Sequence, residues 1–476
     1  MPTNLDQLFE RLGQQADAIP LATAEQARDH GRRRTRRQAM ISAALAVCLV
    51  AVGVGATLYR PRHGPGQTAG PASTRPLPEV GSPFRFGAEA RQALSTIAGP
   101  RAFTGWQTGD GTIRVTAADL HTGKPAWATR TVGRFDDLAR VYALPQALLV
   151  SVVPDRDAIP LNDYNPDTTT YVYDPATGKL RWKYASGASD DEVFHDRVLV
   201  QTSAKTGATT AYDWVTGAVR WTLPGGSDRT VSTLGMGTAD NSMQASFTDD
   251  RLIRVLKSGQ VQVRNITTGA PLLTAKIPAP GPASVFVAYD GQLFDAGRTG
   301  DATTPFRVEG TKLTGDGGDP SSGLLVLPAG REVQSMWQCG SGRLCLLDTD
   351  GSASSSVVAL DFAQRRTLWR ADVGIGGADG YFRHGTTVVG GSQLLVLDQN
   401  GKKVLSLQSG GLEWLSDDAL LATPGTGAGV ATRVHLPDGR QTVLGTLPAQ
   451  QNPCRNNADR LVCPSDTDVR IFSLSG

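Results

Sequence analysis

The hydrophobic and polar positions divide the chain into one continuous apolar run and a long region of short alternating stretches. Residues 39–59 contain no charged residue and no proline. A helix of this length spans about 31 Å, which matches a hydrocarbon core of about 30 Å. Further along, Ile113, Val115 and Ala117 occupy every second position, as one face of a strand does. The pattern predicts one transmembrane helix over 39–59, followed by an all-β domain.

The charges that flank the apolar run predict its direction. Residues 32–37 read RRRTRR, whereas only Arg60 and Arg62 follow the run before a proline-rich stretch. The excess of arginine before the helix places the N-terminus in the cytoplasm and the C-terminal mass outside. A cleaved signal is the first alternative, since residues 35–40 loosely resemble a twin-arginine export signal. A buried helix of a soluble protein is the second.

Composition then predicts four segments. They are a basic cytoplasmic tail (1–38), the transmembrane helix (39–59), a Pro/Gly-rich linker (60–83) and an extracytoplasmic β domain (84–476). In the tail, Leu5, Leu8, Phe9 and Leu12 follow helical spacing. They form either a docking helix for a cytoplasmic partner or a short helix that frays in water.

The β domain carries a repeated pattern of Asp, two residues, Thr-Gly, three residues and Trp. Its complete copies are Asp119, Gly123 and Trp127; Asp174, Gly178 and Trp182; and Asp213, Gly217 and Trp221. A degenerate copy, Asp361 with Trp369, has lost the Thr-Gly, and weaker copies begin at Asn265, Asp398 and His435. A further degraded copy is expected within residues 306–313.

Each copy has the chemistry of a hairpin. The aspartate ends a strand and accepts hydrogen bonds from turn amides, the glycine takes a positive φ, and the tryptophan returns to the seam between neighbouring sheets. The copies recur about every 45 residues, the size of a four-stranded propeller blade. The sequence therefore predicts a β-propeller of about eight blades, with seven to nine allowed.

Four cysteines form two close pairs, Cys339 with Cys345 and Cys454 with Cys463. Close pairs serve as metal ligands in a reducing compartment or as disulfides in an oxidising one. The predicted location outside the membrane favours disulfides, and the second pair lies near the C-terminus, where it would hold the closing blade. Neither pair has a further cysteine or histidine nearby to complete a metal site.

The two copies that read Ala-x-Asp-x-x-Thr-Gly-x-x-x-Trp, from Ala117 and from Ala211, resemble the tryptophan-docking repeats of PQQ-like β-propellers. That family includes quinoprotein dehydrogenases and the outer-membrane assembly lipoprotein BamB, and the layout also resembles membrane-anchored propeller proteins of actinobacteria. The dehydrogenases carry a disulfide between adjacent cysteines, a tryptophan under the quinone and a Ca²⁺ site. This chain has no adjacent cysteines and no acidic cluster that fits the metal, so the sequence argues against PQQ or any other cofactor.

No motif in the sequence indicates catalysis. The six histidines lie far apart, no hydrolase or phosphate-binding motif occurs, and a net charge of +2 gives no field for nucleic acid. Trp214, in the turn of the third copy, is the candidate for an exposed aromatic contact. The sequence predicts a non-enzymatic binding or scaffold propeller with a protein or cell-envelope partner. The alternatives are a transmembrane sensor acting through residues 1–38 and a glycan-acting enzyme.

Overall fold

The described part of the chain consists of strands and turns. A computed structural model describes residues 75–154, 167–242, 245–298, 304–314, 322–350, 355–374, 379–390, 393–407, 410–425, 427–436 and 438–475. No helix occurs in these ranges, and so none that could span a bilayer. The predicted cytoplasmic tail and transmembrane helix, together with residues 60–74 of the predicted linker, lie outside the described residues.

The strands form nine antiparallel four-stranded sheets, eight of them from consecutive strands. Blade 1 comprises β2 (Ala90–Ala98), β3 (Arg101–Thr108), β4 (Thr112–Asp119) and β5 (Pro125–Arg134). Blade 2 comprises β6 (Asp137–Ala143), β7 (Leu148–Val153), β8 (Thr168–Tyr173) and β9 (Leu180–Ser186). Blade 3 comprises β10 (Asp191–Phe194), β11 (Val198–Thr202), β12 (Thr209–Asp213) and β13 (Val219–Leu223). Blade 4 comprises β14 (Thr230–Gly235), β15 (Arg251–Leu256), β16 (Gln260–Asn265) and β17 (Pro271–Lys276).

The second half of the chain repeats the arrangement. Blade 5 comprises β18 (Val285–Tyr289), β19 (Gln292–Gly297), β20 (Arg307–Lys312) and β21 (Ser322–Val326). Blade 6 comprises β22 (Glu332–Gln338), β23 (Arg343–Thr349), β24 (Ser355–Asp361) and β25 (Arg366–Asp372). Blade 7 comprises β26 (Asp379–Arg383), β27 (Thr386–Gly390), β28 (Leu394–Leu397) and β29 (Lys403–Leu407). Blade 8 comprises β30 (Gly411–Ser416), β31 (Ala419–Thr423), β32 (Gly429–His435) and β33 (Gln441–Leu447).

Blade 9 joins the two ends of the described chain. It comprises β34 (Arg455–Asn456), β35 (Arg460–Pro464) and β36 (Asp468–Ser473), and its fourth strand is β1 (Phe84–Arg85). Strand β1 pairs antiparallel with β36, with Arg85 opposite Asp468. The N-terminal strand therefore closes the ring.

The all-β propeller is confirmed, and the expected count of about eight blades is corrected to nine, within the predicted range. The repeat marks the hairpin between the third and fourth strands of a blade, and the described chain contains eight such hairpins, including the degraded one around β20 and β21. Blade 9 has no such hairpin, because its fourth strand comes from the other end of the domain. Counting hairpins therefore misses one blade.

The N-terminal strap, residues 75–87, extends the packed domain beyond the predicted boundary at residue 84. Pro76 pairs with Thr446 of blade 8 and Glu79 pairs with Phe472 of blade 9. Leu77 is buried between these blades. Residues 75–83 were predicted to belong to a spacer; instead they bind along the outer edges of two blades, where a sheet tolerates proline.

Apolar side chains fill every seam of the ring. Among the described residues, nine clusters of buried apolar side chains each join two successive blades, and one of them joins blade 9 to blade 1. Each sheet thus buries both faces against its neighbours, as a closed propeller requires.

The repeat tryptophans dock onto the turn of the following blade. Their indole N–H groups donate to the carbonyl one residue beyond the Asp-equivalent position of that turn: Trp127 to Pro175 (3.4 Å), Trp182 to Trp214 (3.0 Å), Trp221 to Ile266 (3.0 Å) and Trp369 to Gln399 (2.9 Å). The rings lie over glycines at positive φ; a Cβ at Gly178 would sit 2.5 Å from the Trp127 ring. The glycine is thus needed for its backbone conformation and for the space it leaves.

Both predicted disulfides are present, Cys339–Cys345 in blade 6 and Cys454–Cys463 in blade 9. Each links the inner strand region of a blade to its second strand. Replacing Cys454 and Cys463 together by alanine is expected to lower the free energy of unfolding by about 2–3 kcal/mol, because the bridge closes a short loop of the unfolded chain. Chemical denaturation of the full chain measures this loss.

Dithiothreitol provides the control for that prediction. It should lower the free energy of unfolding of the wild type by more than that of the double variant, because the variant has no Cys454–Cys463 bridge to lose. Equal stability of the variant and the oxidised wild type would contradict the prediction.

Candidate functional site

The aspartates of the repeat hold their turns through hydrogen bonds from backbone N–H groups. The carboxylate of Asp119 accepts hydrogen bonds from the backbone N–H groups of His121 and Thr122, and Asp174 and Asp213 do the same in their turns. The Thr122 hydroxyl and backbone hydrogen bonds lower the pKa of Asp119. These residues are structural.

Trp214 is not an exposed contact, so the prediction for this residue is wrong. Its side chain is only 2% exposed and lies in the cluster between blades 2 and 3. Its indole N–H donates to the carbonyl oxygen of His195 at 2.7 Å. A position in a turn suggested exposure, but the Trp214 side chain reaches His195 in the first hairpin of its own blade.

A long segment between β14 and β15 crosses the ring. This crossing segment comprises residues 236–250, of which 243 and 244 are not described. Gly237 donates its N–H to Ala288 of blade 5, the Asn241 carbonyl accepts from Gln338 of blade 6, and the Ser242 N–H donates to Phe382 of blade 7. The segment thus follows the ends of three successive inner strands.

Its second half reaches the opposite side of the ring. The carbonyl of Ala245 accepts a hydrogen bond from the Tyr142 hydroxyl of blade 2, and the Phe247 N–H donates to Phe194 of blade 3. Because inner strands surround the central opening of a propeller, a segment that contacts blades 5 to 7 and then blades 2 and 3 lies across that opening. In the sequence, the signal for this long segment is the 52-residue interval between Asp213 and Asn265.

The crossing segment leaves a groove beside it, at the first hairpin turns of blades 7, 8 and 9. The groove has a volume of about 650 Å³, and it is lined by Arg383, Trp414, Leu415, Ser416, Asp417, Asp418, Asn456, Asn457 and Ala458. Arg383 belongs to both features, since it also pairs with Asn241 of the crossing segment.

Hydrogen bonds and charges fix the walls of this groove. The Arg383 guanidinium lies 5.9 Å from the centre of the Trp414 ring, and His384 Nε2 lies 2.8 Å from Asp417 Oδ1. The Asn456 side-chain amide donates to the Trp414 carbonyl at 2.9 Å. The groove therefore presents an aromatic ring and charges of both signs, and hydrogen bonds hold the backbone that carries them. Sequence reasoning missed it because it is assembled from three blades.

The family match agrees with the docking geometry. Residues 110–296 match the family model described as outer membrane protein assembly factor BamB. Those residues include all three complete repeats and their docked tryptophans. This part of the propeller, about two fifths of the chain, is similar to the PQQ-like repeat family. No curated protein matches the sequence.

Solved structures similar to this chain include BamB from Moraxella catarrhalis, at 14% identity over 70% of this chain and 96% of that one, with a TM-score of 0.39. The computationally designed Ika8 protein shows 13% identity over 84% of this chain and 99% of its own, with a TM-score of 0.41. The C-terminal WD40 domain of Sif2 shows 11% identity over 85% of this chain and 99% of its own, with a TM-score of 0.40.

The described residues of this propeller offer no counterpart to the vicinal disulfide of the quinoprotein dehydrogenases. Their four cysteines pair across intervals of six and nine residues, inside separate hairpins. No group of three or more His, Cys, Asp or Glu side chains in the described ranges is placed to hold a metal ion.

Proposed function

We propose that this chain is a membrane-anchored, extracytoplasmic binding or scaffold propeller, without catalytic activity, that holds a protein partner of the cell envelope in the groove of blades 7 to 9. The observation that carries the proposal is the groove itself, with Trp414 and Arg383 on one wall and Asp417 and Asp418 beside them. The matching family model is described as an assembly factor, which supports a protein as the partner.

The composition of the groove is that of a protein-binding hot spot. Tryptophan and arginine dominate the binding energy of protein interfaces, and rings of polar residues around them exclude water. The Arg383 guanidinium lies against the Trp414 ring and is 3.8 Å from Asp417, so both anchors are held before a partner arrives. Preorganised anchors lose little side-chain entropy on binding.

The disulfides support a location outside the cytoplasm. Such bonds persist in oxidising compartments and are rare in the cytosol. The arginine cluster at 32–37 supports an N-terminus on the cytoplasmic side. Residues 39–59 would then hold the propeller at the membrane surface.

Site-specific photo-crosslinking in the native membrane tests the partner. A photo-reactive residue replaces Ala458 in the groove of the full chain, and the control replaces Val215, which is exposed in a turn of blade 3. We expect one discrete protein adduct from position 458 that is lost when Trp414→Ala or Arg383→Ala is added. Adducts that are the same from both positions, or that survive both substitutions, would contradict the proposal.

Thiol labelling in intact cells tests the topology. A membrane-impermeant maleimide is expected to label Ser82→Cys and to leave Thr3→Cys unlabelled until the cells are lysed. The reverse pattern would place the propeller in the cytoplasm and overturn the proposed location.

A further inference from the structure

A second cavity lies far from the groove, on the sheet of blade 5. The connection from β17 to β18 folds over this sheet and encloses about 290 Å³, a small volume for a ligand pocket. Phe286, Asp295 and Glu309 stand directly opposite one another on the three inner strands of the blade. Directly opposed residues of an antiparallel sheet project to one face, and all three line this blade 5 pocket.

Asp295 is the unusual group in the pocket. The residue is only 9% exposed, and its Oδ1 atom has no hydrogen-bond partner among the described residues. A buried polar atom left without a partner costs about 1–3 kcal/mol. Native structures carry few such groups, and those that occur call for an explanation. Oδ1 itself has less than 1 Å² of accessible surface, so a ligand in the pocket would meet the carboxyl group of Asp295 at its other oxygen.

The charges around Asp295 select the chemistry of that ligand. Arg298 and Arg307 line the same pocket as Asp295 and Glu309, so guanidinium and carboxyl groups both face a ligand there. A cationic ligand would meet the arginines and an anionic one would meet the carboxylates. A neutral polyhydroxylated ligand meets no like charge, because its hydroxyl groups donate to the carboxyl oxygens and accept from the guanidinium groups.

The remaining walls fit a sugar ring. Phe286, Pro278 and Pro280 supply apolar surface for the C–H face of a ring, and Ser284 adds a hydroxyl. The Arg298 guanidinium lies 5.2 Å from the centre of the Phe306 ring and 4.0 Å from Glu332, so its direction is fixed.

We infer that the blade 5 pocket binds one neutral sugar ring, with Asp295 and Glu309 accepting hydrogen bonds from its hydroxyl groups and Arg298 and Arg307 donating to it. This site is separate from the groove. The pocket can be occupied whether or not the groove holds a protein.

Ligand-observed NMR on the full-length chain tests the inference. The chain is held in phosphatidylcholine nanodiscs, because glycoside detergents would themselves compete as sugars. Glucose, galactose, mannose and N-acetylglucosamine are each added at about 10 mM, since a ligand of one ring gains little binding free energy. We expect saturation transfer from the wild-type chain to at least one of them.

Three variants locate the site. Asp295→Leu fills the pocket and should weaken binding at least about tenfold. Arg307→Gln, at an exposed position on the rim, should weaken it several-fold without affecting folding, which a thermal unfolding curve checks. Asp379→Asn is the matched control, because Asp379 is a partly buried carboxyl on the inner strand of blade 7 whose pKa burial also raises.

Two results would overturn the inference. The first is that no sugar binds the wild-type chain, or that the sugar binds both pocket variants as tightly as the wild type. The second is that 1,4-diaminobutane binds in an Asp295-dependent way while the sugars do not, which would make the pocket a cation site. Neither result bears on the adduct at position 458, so this inference and the partner proposal fail separately.

Discussion

Replacing Trp127 by alanine is expected to lower the free energy of unfolding by about 3–5 kcal/mol, the range for removing a large aromatic side chain from a packed core. Trp127 is 8% exposed, lies in the seam between blades 1 and 2, and covers Gly178. Its loss leaves a cavity that the turn of blade 2 cannot fill, because the Asp174 hydrogen bonds hold that turn.

Chemical denaturation of the full chain, followed by tryptophan fluorescence and circular dichroism, measures this loss. Trp414→Ala is the matched control, since Trp414 is half-buried at the groove, and it should cost clearly less. Gly178→Ala should also destabilise, because a Cβ there meets the Trp127 ring and the residue has a φ of +65°. Equal, small effects of Trp127→Ala and Trp414→Ala would show that the docked tryptophan does not hold the seam.

Replacing Asp295 by asparagine is expected to stabilise the protein above neutral pH. Burial, and then the negative charge of Glu309, raise the pKa of Asp295 from 3.8 to about 7. A pKa higher in the folded than in the unfolded state means that folding favours the protonated form. The wild type therefore loses stability as pH rises from about 4 to about 7, and the loss is complete above that range.

The expected gain is of the order of 4 kcal/mol at pH 8, since one pKa unit corresponds to about 1.4 kcal/mol, and it should vanish below pH 4. Arg298, Arg307 and Glu309 face the same pocket and remain in both proteins. Denaturation midpoints at a series of pH values measure the difference between Asp295→Asn and wild type.

Asp110→Asn gives a control of opposite sign. Hydrogen bonds from the Thr108 and Thr112 side chains and from the Thr112 backbone lower the pKa of Asp110 to about 2. Its carboxylate contributes stability that is present above about pH 4 and is lost as pH falls towards 2. The Asp110 variant should therefore be less stable than wild type at pH 8. A gain for Asp295→Asn that does not change with pH would contradict the account of the buried carboxyl.

The hairpins could be predicted from the sequence because their chemistry is local. Asp119, Gly123 and Trp127 lie within nine residues, and each has a separate physical reason for its position. At the degenerate copy, Arg365 takes the positive φ that glycine takes elsewhere, so the turn persists after the motif has changed. The ninth blade left no such mark, because β1 and β36 come from opposite ends of the domain.

The candidate sites could not be predicted because they depend on long-range placement. Trp414 and Arg383 meet only once blades 7 and 8 are packed, and Asp295 lines its pocket together with a connection from the edge of blade 4. Leu77 stands in a proline-rich stretch that resembles a spacer by composition, yet an exposed sheet edge accepts such a stretch. In each case the missing information was which distant element covers the residue.

The account depends most on the closure of nine blades by the N-terminal strand, and one crosslink tests this directly. In the full chain, Arg85→Cys and Asp468→Cys place two thiols on directly opposed residues of β1 and β36, within the reach of a disulfide. We predict that mild oxidation forms this bridge, identified by peptide mass spectrometry. Arg85→Cys paired with Asp372→Cys on the outer strand of blade 6 should form none. Equal bridging of both pairs, or no bridge between positions 85 and 468, would contradict a closed nine-bladed ring.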